Sequence, residues 1–365
     1  MAGKHSAIRG CLLGLAVGDA MGYTVDSRTL DEIRQDYGPN GLLGYDLVNG
    51  YADVTSYTQL AAFSANGLLL GLTRGQMQGR MAPLVRYIGL AVKEWSRSQQ
   101  FGKPERNFCW LSNTPELKRR HCMDTRMLDM LGRPQLGTPE EPINHYSHPG
   151  SITEVIPVAL LKGDISLGQE ELNRLGAEAI ALTHGGPEAF LSGAVLTQTL
   201  SMLLEGPEIS AEELISKVRY DIQLQFGREY AQTTAIWELL QMAISLADSS
   251  KVSQMEAMEQ LRCMTAPEVL AGVLYACLTC HGDFDSAMIT AVNHSGRSAA
   301  VGALTGAILG LRMGEEALPE FYLESLEPTE ILRELADDLA QGCPMERSTS
   351  LFDHDWDRKY LNAGF

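Results

Sequence analysis

Several short stretches of this chain carry side chains that do chemistry at suggestive spacings. Cys277-Leu278-Thr279-Cys280-His281 has the C-x-x-C-H spacing of covalent haem attachment. Two thiols and an imidazole could also hold zinc. The thiols lie in an apolar run, VLAGVLYACLTC, so they are expected to be buried and structural. Asp283 and Asp285 form a D-x-D pair of the kind that binds hard cations. At the opening of a helix the same acids cap free N–H groups and complement the helix dipole, and capping is the expectation. His184, in Thr183-His184-Gly185-Gly186-Pro187, joins two helices and either lines a pocket or closes the C-terminus of the preceding one. Asp19 and Asp26 are close enough in sequence to be imagined as paired carboxylates for acid–base work, although Asp19 reads first as fixing a helix end. Asp53 reads as a helix cap near Thr55 rather than a displaced ligand.

The elements that must position these residues are helical from end to end. Gly302, Gly306, Gly310 and Gly314 recur every fourth residue, and Gly10, Gly14, Gly18 and Gly22 repeat the spacing. Each interior glycine costs a helix about 1 kcal/mol relative to alanine. Two such stripes make sense when another backbone packs closely against each. The chain is therefore read as organised around two glycine-faced helices, 6–22 and 297–313, with a site where their ends meet. Between and after them the periodicity predicts helices over 30–37, 60–72 (opened by the polar segment 53–59), 80–98, 116–131, 152–161, 168–183, 186–204, 210–224, 229–247, 253–263, 266–280, 283–292 and 327–341. Residues 132–150 read as a long ordered loop, and strand signals are weak. The expectation is an all-α fold, a multi-helix orthogonal bundle, in a single domain spanning 1–365.

Composition narrows the partners. A net charge of −17 repels phosphate backbones, so binding of nucleic acid over a broad surface is not expected. Seven cysteines without framework spacing suggest reduced thiols and a cytoplasmic setting. Lys4 and Arg9 ahead of the apolar run Cys11–Val17 imitate a signal peptide, but the run is short and carries the glycine stripe. No apolar run reaches the roughly 18 residues of a membrane span.

Taken in order, the motifs Gly14-Leu-Ala-x-Gly18-Asp19-Ala20-x-Gly22-Tyr23, Thr58-Gln59, Thr183-His184-Gly185 and Asn293-His294-Ser295-Gly296 resemble the ADP-ribosylglycohydrolase family, over roughly residues 5–315. The resemblance implies a compact all-α fold and a cleft in which two magnesium ions orient the ribose hydroxyls and the attacking water. Those ions are held by a Thr-Asp-Asp triplet and a later Asp-x-Asp-Ser/Thr, hard oxygen donors that suit magnesium.

This chain departs from the family where the metal should be. Thr55-Ser56-Tyr57-Thr58 replaces Thr-Asp-Asp-Thr, and Ser295-Gly296-Arg297-Ser298-Ala299-Ala300 replaces Ser-Gly-Asp-Ser-Asp-Ser/Thr. Ser56, Tyr57, Arg297 and Ala299 therefore stand at carboxylate positions, and of the usual side-chain ligands Thr55 remains. The glutamate that follows Gly-Tyr-Pro-Val in the family is Asp26 here. The glycine-rich nucleotide loop reads His148-Pro149-Gly150-Ser151-Ile152-Thr153-Glu154, with Glu154 in place of arginine. No magnesium or other cofactor is expected. The Arg297 guanidinium is expected to fill part of the former metal space, balanced by Asp19, Asp26 or Asp53; the alternative is a helix-start arginine pointing into solvent. The resulting expectation is a catalytically degenerate relative that binds ADP-ribose, a related nucleotide or an ADP-ribosylated protein, or serves as a repurposed scaffold. The alternative is a hydrolase of altered mechanism, using Asp26, Asp19 or His184 for metal-free acid–base work on the glycosidic bond of ADP-ribosylated substrates. Ligand contacts are expected from Asp19, Thr55, Ser56, Tyr57, His148, Gly150, Ser151, His184, Ser295, Arg297 and Ser298.

Overall fold

The computed structural model describes residues 3–100, 107–161, 167–345 and 352–362. Among them no β-strand forms, and the isolated bridges Val48–Tyr51 and Ala52–Leu326 join loops. The architecture is all-α. In chain order the helices are α1 (Lys4–Tyr23), α2 (Leu30–Tyr37), α3 (Ser56–Gln78), α4 (Leu84–Gln99), α5 (Thr125–Leu131), α6 (Ile156–Leu160), α7 (Gln169–Ala181), α8 (Pro187–Glu205) and α9 (Ala211–Phe226). They continue as α10 (Gln232–Ala247), α11 (Gln254–Leu261), α12 (Ala266–Thr279), α13 (Phe284–Val292), α14 (Ser298–Met313), α15 (Glu320–Glu324), α16 (Thr329–Gln341) and α17 (His354–Tyr360).

The glycine stripes find each other. Helices α1 and α14 run antiparallel and form the most extensive helix pair in the molecule. A methyl group built on Gly10 would collide with the Gly310 carbonyl, on Gly14 with that of Gly306, and on Gly18 with that of Gly302. The two backbones are in direct contact, a separation that any side chain would forbid. Leu12, Leu13 and Leu15 on α1, and Val301 and Leu304 on α14, are fully buried, so the pair is the centre of the core rather than a surface hairpin. The signal-like run Cys11–Val17 is part of this centre. Among the described residues no helix is long and apolar enough to cross a membrane.

Local chemistry accounts for the element boundaries. Thr29 and Glu32 close a capping box at the start of α2, which spans the residues expected. Helix α3 outruns the expected 60–72, because its last turns continue to Gly79, which stops it in a left-handed conformation at φ 68°. The expected helix 116–131 is not formed over its first half. A 3-10 turn at Pro115–Leu117 is followed by an extended segment, and α5 begins only at Thr125. The reason is competition from α3. Ser56 N donates to the His121 carbonyl at 2.9 Å, Met123 N to Ser56 Oγ at 3.0 Å, and Gln59 Nε2 to the Arg119 carbonyl at 3.0 Å. Backbone groups committed to a neighbour cannot also close a helical turn. The expected helix 152–161 is a 3-10 turn (Ile152–Val155) followed by α6, since Pro157 has no N–H for the carbonyl of Thr153. Beyond the expected elements, α17 seats Trp356 and Tyr360 in the core, where they donate to Thr73 Oγ1 at 2.9 Å and Asp338 Oδ2 at 2.6 Å.

The interhelix contact yields a stability prediction. Gly306→Ala gains about 1 kcal/mol of helix propensity, yet overpacking against the Gly14 carbonyl should leave it destabilised by about 3 kcal/mol or more. Gly44→Ala, whose added methyl meets nothing within 4 Å, is the control and should be neutral. Chemical denaturation of the two variants beside the parent protein checks both outcomes.

Candidate functional site

The C-terminal end of α1, the N-terminal ends of α3 and α14, and the extended segment before α5 meet at one end of the glycine-packed pair. Asp19, in the last turns of α1, is fully buried and accepts from α3. Its Oδ2 takes Thr55 N at 2.8 Å, Thr58 N at 3.1 Å and Thr58 Oγ1 at 2.6 Å, while Oδ1 takes Thr55 Oγ1 at 2.6 Å. Burial raises the carboxyl to about 6, and the hydrogen bonds from Thr55 and Thr58 oppose that shift. Asp19 thus caps the N-terminus of a neighbouring helix. Thr55 is the N-cap residue of α3, so Asp53 does not cap. It pairs with Arg119, whose other arm holds Glu327 at 2.6 Å.

Asp26 plays the corresponding part at α14. Its Oδ1 accepts from Ala299 N at 3.0 Å, and its Oδ2 accepts from Ser27 Oγ at 3.0 Å and lies 3.6 Å from Arg297 Nη1. The side chain of Asp26 is 3% exposed and that of Arg297 is 25% exposed, with Arg297 Nη1 also donating to Ser27 Oγ at 2.9 Å. Arg297 therefore leans on the constellation rather than standing in open solvent. Of the three aspartates considered as its partner, the structure selects Asp26. Burial raises the Asp26 carboxyl, against the hydrogen bonds of Ala299 N and Ser27 and the charge of Arg297. Tyr57 packs beside this pair at 2% exposure, its hydroxyl pushed well up by burial and then by the charge of Asp26. The turn before Arg297 is held by His294, whose Nε2–H donates to the Ala291 carbonyl while Nδ1 accepts from Gly296 N, both at 3.0 Å. Burial pushes His294 down to about 4.

A second cluster adjoins the first. His184 is fully buried, with Nδ1 2.9 Å from both Ser151 Oγ and Thr183 Oγ1 and Nε2 3.4 Å from Asp124 Oδ2. Hydroxyls donating to Nδ1 leave Nε2–H for the carboxylate. Ser151, His184 and Asp124 are the residue types of a hydrolytic triad, but the Ser151 hydroxyl is fully buried and has no route to a substrate. Arg126 clasps Asp124 through Nε at 3.0 Å and Nη2 at 3.1 Å, and its guanidinium lies 5.0 Å above the Tyr146 ring. Burial alone would raise the Asp124 carboxyl; the bonds from His184 and Arg126 more than offset it and hold it well below the usual carboxylate range. A side chain at Gly150 would meet Asp124 and His184, so only glycine lets the loop close over them. His148, half-buried, is pushed down by burial and by Arg126, and its Nδ1 is buried without a partner among the described residues.

The structure brings together most of the residues singled out from sequence. Ser56 and Thr153 tie the cluster to α3 through Met123 N and the Tyr57 carbonyl, the latter at 2.7 Å. Ser298 Oγ donates to the His294 carbonyl at 3.2 Å. Ser295 belongs elsewhere: it accepts from Leu30 N at 2.8 Å and donates to Glu259 at 2.9 Å, fastening α2 to α11. His184 closes the C-terminus of α7, its backbone N donating to the Ile180 carbonyl at 2.9 Å, while its ring is buried in the second cluster. Asp124, Arg126 and Tyr146 were not foreseen, since Asp124 fell inside an expected helix; read as an N-cap before Thr125, it was visible. The other motifs are structural. Asp283 caps α13 by accepting from Ser286 N at 3.3 Å, and Cys280 Sγ donates to the Cys277 carbonyl at 3.2 Å.

A helical fold built on a glycine-faced pair, with polar clusters at the helix ends, defines a class, and comparison with known proteins agrees with it. The ADP-ribosylglycohydrolase family matches residues 1–349, and the chain belongs to that family. An uncharacterized protein of Archaeoglobus fulgidus is 24% identical over 332 residues, covering 90% of this chain and 94% of its own length. A solved structure titled ADP-ribosylglycohydrolase-related protein complex aligns with a TM-score of 0.59 and 22% identity, over 93% of this chain and 98% of that chain. At that identity the likeness concerns the fold.

Glu154, in the glycine-rich loop, is fully buried, and neither of its oxygens has a hydrogen-bond partner among the described residues. Burial raises its carboxyl far above the ordinary value. A carboxyl held above its unfolded-state pKa carries no penalty below that value. Above it the penalty grows by about 1.4 kcal/mol per pH unit until the folded pKa is reached. Glu154→Gln should therefore raise the unfolding temperature at mildly alkaline pH, with the gain fading as pH falls towards 4.5, the ordinary glutamate value. Thermal denaturation of both proteins across pH reads this directly; a difference independent of pH would mean that Glu154 is ionised and paired.

Proposed function

We propose that this chain is a non-hydrolytic member of the ADP-ribosylglycohydrolase family that binds ADP-ribose, or a protein carrying it, without magnesium. The observation that carries the reading is that each aspartate of the constellation is already engaged by the protein's own donors. Asp19 serves the N-terminus of α3, Asp26 serves the N-terminus of α14 and pairs with Arg297, and Asp124 is clasped by Arg126. The donor set does not fit two magnesium ions. Serine, tyrosine, arginine and alanine stand at the implied ligand positions, and Ser56 Oγ accepts from Met123 N. A fixed guanidinium beside Asp26 supplies positive charge that divalent cations would otherwise bring.

The outer edge suits an anionic, aromatic ligand. Arg126 and Arg297 keep 42% and 25% of their side chains exposed, and His148 feels both of their charges, with that of Asp124 opposing. Tyr23 is 37% exposed and its ring lies 5.0 Å from that of His121, a surface on which a base can stack. Guanidinium groups held in place by buried carboxylates are pre-organised for a diphosphate. The seven free cysteines fit a reducing, cytoplasmic setting.

Calorimetric titration with ADP-ribose, in magnesium and again in EDTA, tests the reading. Equal binding in both buffers is expected, with no release of ribose from an ADP-ribosylated arginine substrate, and Arg297→Ala should weaken binding about tenfold. Binding that needs magnesium would overturn the metal-free account. Hydrolysis in EDTA would assign acid–base work to Asp26. Silence in both buffers would leave a repurposed scaffold.

A further inference from the structure

Some distance from this constellation, helices α8, α9, α10, α12 and α14 line a partly open cavity of about 110 Å³. It reaches α14 at Ile308 and Arg312. Arg312 lies fifteen residues beyond Arg297 in the sequence, about 20 Å along the helix at its usual rise. The walls are largely aliphatic, built from residues such as Leu196, Leu214, Leu240, Leu270 and Val273.

The few polar groups on this wall are unequal. Thr199 is satisfied within its own helix, donating to the Val195 carbonyl at 2.8 Å. Burial keeps the Cys277 thiol protonated. Trp237 is 6% exposed, and its indole N–H is buried with no acceptor among the described residues. Arg312 is exposed and joins no hydrogen bond or ion pair among the described residues, so its charge at the edge of the cavity faces solvent alone. No carboxylate lines the cavity. An apolar space thus combines one unmet buried donor, one solvent-facing cation and no lining carboxylate.

We propose that this cavity is a binding site for a small monocarboxylic acid with a compact apolar body, such as an aromatic ring or a branched chain of about six carbon atoms. The body fills the aliphatic space, and the carboxylate supplies the counter-charge for Arg312 and the acceptor for Trp237. A pure hydrocarbon leaves both polar groups unmet. An amine brings a cation to a wall with no acid, against the charge of Arg312. An engineered apolar cavity of about 150 Å³ takes benzene; this space, at about 110 Å³, is smaller but open on one side, so a ring enters it in part and projects towards the mouth. The proposal is independent of the nucleotide reading at the other end of α14.

Titration of the full chain with benzoate, monitored by calorimetry and by tryptophan fluorescence, tests the site, with benzamide and acetate as comparisons. Benzoate should bind one site per chain, benzamide about tenfold more weakly, and acetate not measurably. Arg312→Gln, at an exposed position that does not endanger folding, should weaken benzoate about tenfold while leaving benzamide unchanged. Cys277→Leu narrows the space and should reduce both, with circular dichroism confirming that the variant is folded. Equal binding of acetate and benzoate, wild-type affinity in the Arg312→Gln protein, or no benzoate binding at millimolar concentration would each overturn the proposal.

Discussion

Everything in this molecule hangs from one close approach, that of the α1 and α14 backbones. Helices usually pack at about 8–10 Å between axes because side chains keep them apart. Here Gly10, Gly14 and Gly18 lie against the carbonyls of Gly310, Gly306 and Gly302, and the separation falls to what bare backbone permits. The consequence is rigidity at the ends. Asp19 and Asp26, on and just after α1, are carried to the first turns of α3 and α14 by a contact that leaves no room for sliding.

Those ends explain how the buried aspartates are balanced by groups of the chain itself. A helix N-terminus presents unpaired N–H groups and a partial positive charge. Asp19 faces one such terminus and Asp26 another, and Arg297 and Arg126 add full charges beside Asp26 and Asp124. Each carboxylate is thus balanced by a group from the same chain. Raising by burial at Asp19 and Asp26, and lowering by paired donors at Asp124, follow from how much of this balance each receives. Glu154 received none among the described residues, and neither of its buried oxygens has a hydrogen-bond partner there.

Much of this was legible in residue order. Glycine at every fourth position on two distant stretches implied two helices in backbone contact, because no other arrangement offsets so large a loss of helix propensity. The capping signal of α13 was read correctly, since a cap involves residues only a turn apart. The segment 116–131 was misread for the complementary reason. Its backbone is claimed by Ser56 and Gln59, sixty or more residues earlier, and nothing local announces that claim. Misplacing that segment hid Asp124, and with it the partner that orients His184.

By itself, then, the sequence determined the all-α class, the glycine-faced pair and the kinds of donor atom present. All three depend on residue type and short-range spacing. Tertiary structure alone decided which aspartate meets Arg297, that Ser295 faces α11 rather than the constellation, and that Trp237 and Arg312 share a cavity. Those outcomes turn on distances of a few ångströms between residues far apart in the chain, a scale at which electrostatic pairing is selected and which spacing along a sequence does not encode.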